Sequence, residues 1–148
     1  MKKQILIFGA VISIVSTLQA QDIPQSQVPS VILNEFNKQF PKATDLEWEM
    51  DGNLYNADFE ISWNIDHEVW YNTEGKMVKH KEDISKSELP KAVNNRIQAD
   101  FSDYSIDDLE RITDNGKVVF KMELNALTQT DWDIVIDSEG KVISKIVD

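Results

Sequence analysis

The sequence predicts an α+β fold, a tandem repeat of one helix plus a four-stranded antiparallel sheet, with the helices on one face. Three observations lead there. Residues 28–84 and 89–148 can be laid over each other, with Val28-Pro29 against Leu89-Pro90, Phe36 against Ile97, Phe40 against Phe101, and Glu74-Gly75-Lys76 against Glu139-Gly140-Lys141. Each half opens with apolar residues at helical spacing. Each then alternates apolar and polar residues with a period of two, interrupted by short turns that can join only antiparallel strands. An internal duplication of this kind speaks to architecture more than to activity.

Residues 1–20 are expected to be a signal peptide. Lys2 and Lys3 precede an apolar run from Ile5 to Val15, and a short polar stretch ends in Ala20 before Gln21. The run is about half of the roughly 20 residues needed to span a bilayer, which favours export over anchoring. Residues 21–27 form a polar leader. The first unit covers 28–84, a short linker 85–88, and the second unit 89–148.

Within the first unit, Val28, Ile32, Phe36 and Phe40 make one apolar helical stripe, opened by Pro29 and closed by Pro41. Leu46, Trp48 and Met50 alternate with Asp45, Glu47 and Glu49 in the first strand. Asp51-Gly52-Asn53 signals a hairpin. Tyr55, Ala57, Phe59 and Ile61 continue the alternation, a third strand follows near His67 to Asn72, and Lys76 to Glu82 is the fourth. Gly75 suits a left-handed turn position. The second unit repeats this plan. Leu89, Val93, Ile97 and Phe101 form its helical stripe, and strands follow near 107–113, 117–125, 130–137 and 141–147, with Asp114-Asn115-Gly116 as the first turn. Phe36, Phe40, Phe59, Phe101 and Phe120 should dominate the core, since fully burying a Phe is worth roughly 1.5–3 kcal/mol.

Beyond the first twenty residues the chain carries 13 basic and 26 acidic side chains, a net charge of −13 over 128 residues. Nucleic acid and anionic lipid are disfavoured partners for such a surface. No cysteine is present, so no disulfide braces the fold and no thiol serves as nucleophile or ligand. A core built from 128 residues is large enough for one domain, whereas each half alone would be marginal.

No catalytic residues, no metal ligands and no cofactor are expected. His67 and His80 fall on different strands and read as ordinary sheet residues. No Gly-x-Ser-x-Gly elbow or His-Glu-x-x-His pair occurs. Glu47 with Glu49, Asp58 with Glu60, and Asp131 with Asp133 share strand faces, as a glycosidase pair would, but also as the wet side of any acidic sheet would. The run from Asp131 to Gly140 lacks the alternating ligand spacing of a calcium loop.

Binding is the better expectation. If Tyr55, Phe59, Val69, Tyr71, Val118, Phe120, Ile134 and Ile136 point inward, then Trp70, Val119 and Val135 point outward among Glu68, Lys121 and Asp133, with Trp63 near a hairpin tip. Apolar groups amid charge are typical interface anchors. The predicted partner-binding set on the outer sheet face is Trp70, Glu68, Val135, Asp133, Val119, Lys121 and Trp63.

Taken together, Val28-Pro29, Phe40-Pro41, Glu47-Trp48-Glu49, Glu74-Gly75-Lys76, Leu89-Pro90 and Glu139-Gly140-Lys141 resemble the beta-lactamase-inhibitor-like, PepSY-like family of small exported bacterial proteins. The resemblance covers essentially all of residues 21–148. It implies tandem units whose sheets form a curved surface able to grip a protein, as the family's namesake inhibitor grips an enzyme. Unlike that inhibitor, this chain has no disulfide. The resulting expectation is an exported, periplasmic or secreted, non-enzymatic binding module, an inhibitor or modulator of a periplasmic enzyme or peptidase, with a protein partner and no membrane contact after signal cleavage. The alternatives are a structural or self-associating envelope protein and an acidic-pair hydrolase.

Overall fold

The computed structural model describes residues 21–62 and 65–148; the expected signal peptide and Trp63 lie outside them. A two-residue strand β1 (Gln21–Asp22) leads to helix α1 (Ser30–Gln39) and strands β2 (Thr44–Asp51), β3 (Leu54–Glu60), β4 (Asp66–Tyr71) and β5 (Met77–Asp83). Helix α2 (Lys91–Asp100) then precedes β6 (Ser105–Asp114), β7 (Lys117–Asn125), β8 (Trp132–Asp137) and β9 (Val142–Val147). A short 3-10 turn precedes each helix, at Gln25–Gln27 and at Lys86–Glu88.

These strands do not form two four-stranded sheets. They make one nine-stranded antiparallel sheet in chain order, β1 to β9, accompanied among the described residues by two short α-helices. The expected tandem of helix-plus-four-strand units, each with its own sheet, is therefore incorrect. The join is the β5–β6 pair, in register from Lys79↔Asp114 to Asp83↔Glu110. Two separate sheets would each have bared a strand edge here, with its N–H and C=O groups unpaired. Pairing them satisfies both edges at once. Local alternation along a chain specifies strands, but not which edges meet.

Pro29 and Pro90 stand at the caps, one residue before each helix begins, with extended ψ values of 139° and 148°. The Pro29 carbonyl accepts from Ile32 and Leu33, and the Pro90 carbonyl from Asn94. Ile32 and Phe36 of α1 are buried against Trp48, Ala57, Phe59, Val69 and Tyr71. Val93 and Ile97 of α2 are buried against Phe120, Met122, Leu124, Ile134 and Ile136.

Both cores lie on the same side of the sheet. Directly paired residues share a face. Val69 pairs with His80, His80 with Thr113, and Thr113 with Val118. Val69 belongs to the first core and Val118 packs on the second. The opposite face carries neither helix among the described residues.

Two hairpins tie the sheet to its helices. At the β4–β5 turn the Asn72 side-chain oxygen accepts from the backbone of Glu74 and Lys76; at the β8–β9 turn Asp137 does the same for Glu139 and Lys141. The glycine of each turn is left-handed, with φ of +81° at Gly75 and +85° at Gly140. Each also touches a helix: a Cβ on Gly75 would lie 2.9 Å from Val31 Cγ2, and one on Gly140 would lie 2.6 Å from the Ala92 carbonyl oxygen. The two Glu-Gly-Lys triplets are thus docking points, where both conformation and clearance demand glycine.

Candidate functional site

The helix-free face is built from the alternate residues of β2 to β9. Its rows follow from the register. One row runs Glu47, Asp58, Glu68, Lys81, Ile112, Val119 and Asp137. The next contains Asp83, Glu110, Lys121, Val135 and Ser144. Glu123 and Asp133 lie beyond it. The β5–β6 join therefore brings Glu68 into one continuous surface with Val119, Lys121, Asp133 and Val135.

Near the middle of this face Lys81 Nζ sits 2.7 Å from Glu68 Oε2 and 3.3 Å from Glu110 Oε1, while Lys121 reaches Glu110 at 4.0 Å. Partial burial works against the Lys81 charge, but its hydrogen bond to Glu68 and the attraction of Glu68 and Glu110 outweigh this and raise its pKa. A depression of about 150 Å³ is lined here by Asp58, Asp66, Glu68, Lys81, Asp83 and Glu110. Acids outnumber bases in it. Partial burial, then repulsion from Glu68 and Asp66, raises the Asp58 pKa; burial, then Asp66 and Glu110, raises that of Asp83. Asp58 and Asp83, each crowded by neighbouring carboxylates, would gain from an incoming cationic group.

Ile112 and Val119 form a half-buried apolar pair in the first row, and Val135 lies diagonal to Val119. Trp70 faces the same side but is not an open anchor. It is 7% exposed, Lys79 Nζ lies 4.0 Å above its ring, and its Nε1 donates to Asp51 Oδ2 at 3.0 Å. Its register neighbours, Asn56 and Lys79, share the cover. The indole can reach a partner only after Lys79 swings aside. Trp63 lies outside the described residues.

Sequence reasoning missed Lys81, Asp83, Glu110 and Ile112. The signal was present, since Lys79-x-Lys81-x-Asp83 and Glu110-x-Ile112-x-Asp114 both alternate with a period of two. Their meeting required the β5–β6 pairing.

The helix-bearing face holds a polar seam between its two cores. His67 pairs with Glu82 across β4–β5, and Glu82 pairs with Arg111 across β5–β6. His67 Nδ1 lies 3.1 Å from His80 Nε2, and Arg111 Nε donates to Glu82 Oε1 at 2.8 Å. Burial lowers the pKa of both histidines, outweighing the pull of Glu82. The histidines read from sequence as separate sheet residues are thus neighbours, because they stand on adjacent strands with side chains on one face.

A family model described as beta-lactamase-inhibitor-like, PepSY-like matches residues 15–68 and 53–144. No curated protein matches the chain. Among solved structures, a DUF2874 family protein of Bacteroides uniformis is 23% identical, with a TM-score of 0.67 over 80% of this chain and 88% of its own. A candidate periplasmic protein of Bacteroides eggerthii is 22% identical, with a TM-score of 0.68 over 81% and 88%. A BLIP-like protein of Bacteroides fragilis is 19% identical, with a TM-score of 0.65 over 84% and 87%. At these identities the likeness is one of fold.

Proposed function

The chain belongs to the beta-lactamase-inhibitor-like, PepSY-like family, and from that premise we propose that it is an exported, non-enzymatic module that binds a periplasmic protein and modulates it. The contact surface is the helix-free sheet face, with Glu68, Val119, Lys121, Asp133 and Val135 at its centre and Trp70, covered by Lys79, at its first-half end. One observation carries this reading. The sheet is continuous across β5–β6, so its uncovered side presents a single field in which Ile112, Val119 and Val135 lie beside a depression rich in carboxylates. A partner surface with a basic rim around an apolar centre matches that field in charge and in character.

Affinity capture from periplasmic extract tests the reading. The bait is compared with a Val119→Glu, Val135→Glu variant and with Asn95→Glu on the exposed side of α2. Trp70 is a poorer choice, because truncating it also removes its bond to Asp51. The same partner should be retained and altered in activity by wild type and by Asn95→Glu, and neither retained nor altered by the valine variant. Equal capture by all three proteins, or no capture by any, would exclude the face.

Self-association is the alternative, and one observation favours it. β9 ends the sheet, and Ile143, Ile146 and Val147 on it are exposed. Sedimentation at rising concentration should reveal a dimer if that edge is the functional surface.

A further inference from the structure

We infer that His67, His80 and Glu82 form a binding site for a divalent transition-metal ion of the zinc type. The three side chains belong to neighbouring strands and point to the same side. His80 and Glu82 stand two residues apart on β5, and His67 is the direct register partner of Glu82 on β4. One ligand atom from each lies within 4.8 Å of the others.

The distances suit an ion that takes nitrogen and oxygen ligands. In a tetrahedral zinc site, bonds of about 2.0–2.1 Å put the ligand atoms about 3.3–3.4 Å apart. His67 Nδ1 and His80 Nε2 are 3.1 Å apart, and His67 Nδ1 and Glu82 Oε2 are 3.9 Å apart. The first of these has to open and the second to close, each by a few tenths of an ångström, and the third separation, His80 to Glu82, starts within 4.8 Å. Side-chain torsions absorb that without moving either strand.

Protonation adds no obstacle. At 3.1 Å the two ring nitrogens share one hydrogen, one ring donating and the other accepting. Both histidines can remain neutral when the ion binds. The ring that donated moves its hydrogen to its other nitrogen, and both lone pairs then face the metal.

The surroundings orient the ligands. Arg111 takes Glu82 Oε1 at 2.8 Å and leaves Oε2 on the side of His67. Such an outer hydrogen bond fixes a ligating carboxylate. Phe59 stacks on His67 with centroids 5.3 Å apart, and Phe40 meets His80 edge-on at 5.6 Å. These rings limit the histidine rotamers and thin the water around them. Asp66 and Asp83 add negative potential at His67, while Arg111 opposes it. Three protein ligands leave a fourth position for water, as in open zinc sites. A bound ion would clasp β4 to β5 beside the β5–β6 join. Nitrogen ligands select against calcium and magnesium.

The test uses protein purified without a histidine tag, stripped with chelator and titrated with zinc sulfate in a calorimeter. One ion should bind per chain and raise the melting temperature, and calcium chloride should do neither. Glu82→Gln should weaken zinc binding about tenfold or more, and His67→Phe with His80→Gln should abolish it. Circular dichroism checks that each variant folds. Should a variant unfold, nitrogen-15 spectra of the wild type decide instead: zinc must shift His67 Nδ1 and His80 Nε2 together. No saturable zinc binding, undiminished binding by the folded variants, or imidazole resonances that ignore zinc would each overturn the site.

Discussion

Phe36 meets three other aromatic rings: Phe59 edge-on at 4.9 Å, Trp48 edge-on at 5.4 Å and Phe40 at 5.5 Å. Such pairs contribute about 0.5–1.5 kcal/mol each beyond the area they bury. Phe59 is therefore costly to lose. Phe120 lies in the second core among Met122, Leu124, Ile134 and Ile136, where packing alone holds it. Alanine at either position should destabilise by about 3–5 kcal/mol, read as a lower midpoint in urea. Unchanged midpoints for both would refute the core assignment. On the far face the residue-scale question is charge. Partial burial and the neighbouring Glu68 and Asp66 hold the Asp58 pKa above its ordinary value. The folded protein therefore binds this proton more tightly than the unfolded chain does, and stability falls as pH rises between the two values. The full cost of ionising Asp58 is present above the raised folded pKa and vanishes below the unfolded one. Asp58→Asn should thus raise the melting temperature at pH 7 and leave it unchanged near pH 3. A variant that melts lower at pH 7 would show that the carboxylate instead contributes a needed contact.

At the scale of elements, the same Glu-Gly-Lys triplet serves twice as a dock between hairpin and helix. Arg96 of α2 strengthens the second dock by donating to the Gly140 carbonyl at 2.9 Å. Gly116, by contrast, occupies the β6–β7 turn, is also left-handed, and has open space where a Cβ would go. Comparing the two separates conformation from clearance. Gly116→Ala should cost about 1–2 kcal/mol for the left-handed backbone alone. Gly140→Ala must also push α2 away from the sheet, so its loss should be larger, about 2–4 kcal/mol. Equal losses in thermal melts would mean that the close approach to Ala92 carries no weight. Glycines, helical stripes and strand alternation were all legible in the sequence, because each is a local consequence of backbone geometry. The bulges were not. Asp45 and Asp108 adopt φ of 51° and 42° where the β2–β3 and β6–β7 registers slip. Aspartate tolerates that conformation, but an aspartate in an acidic chain gives no notice of it. The cover over Trp70 was equally hidden, since it depends on Lys79 across a strand pair and on Asp51 two strands away.

Over the whole molecule, what local pattern could not express was the joining of the halves. Ile84 follows the last strand of the first half, yet it packs against the second core and its N–H donates to the Leu109 carbonyl at 3.0 Å. Glu82 and Arg111 pair across the same seam, and Lys81 bridges Glu68 on β4 to Glu110 on β6. Each of these contacts needs both halves folded. Half of this chain buries too little apolar surface to outweigh its conformational entropy comfortably, whereas the joined sheet removes one bare edge from each half. The two cores should therefore be lost together. Calorimetry should give one transition, with the calorimetric enthalpy equal to the van't Hoff enthalpy. Native-state hydrogen exchange should assign the same opening free energy to the amides of Ala57 and Val69 as to those of Met122 and Ile134. Ile112→Pro, which removes a ladder N–H from the middle of β6 next to the join, should weaken protection in both halves by similar amounts. Two calorimetric transitions, or a proline effect confined to the second half, would mean that β5 and β6 touch without coupling the cores.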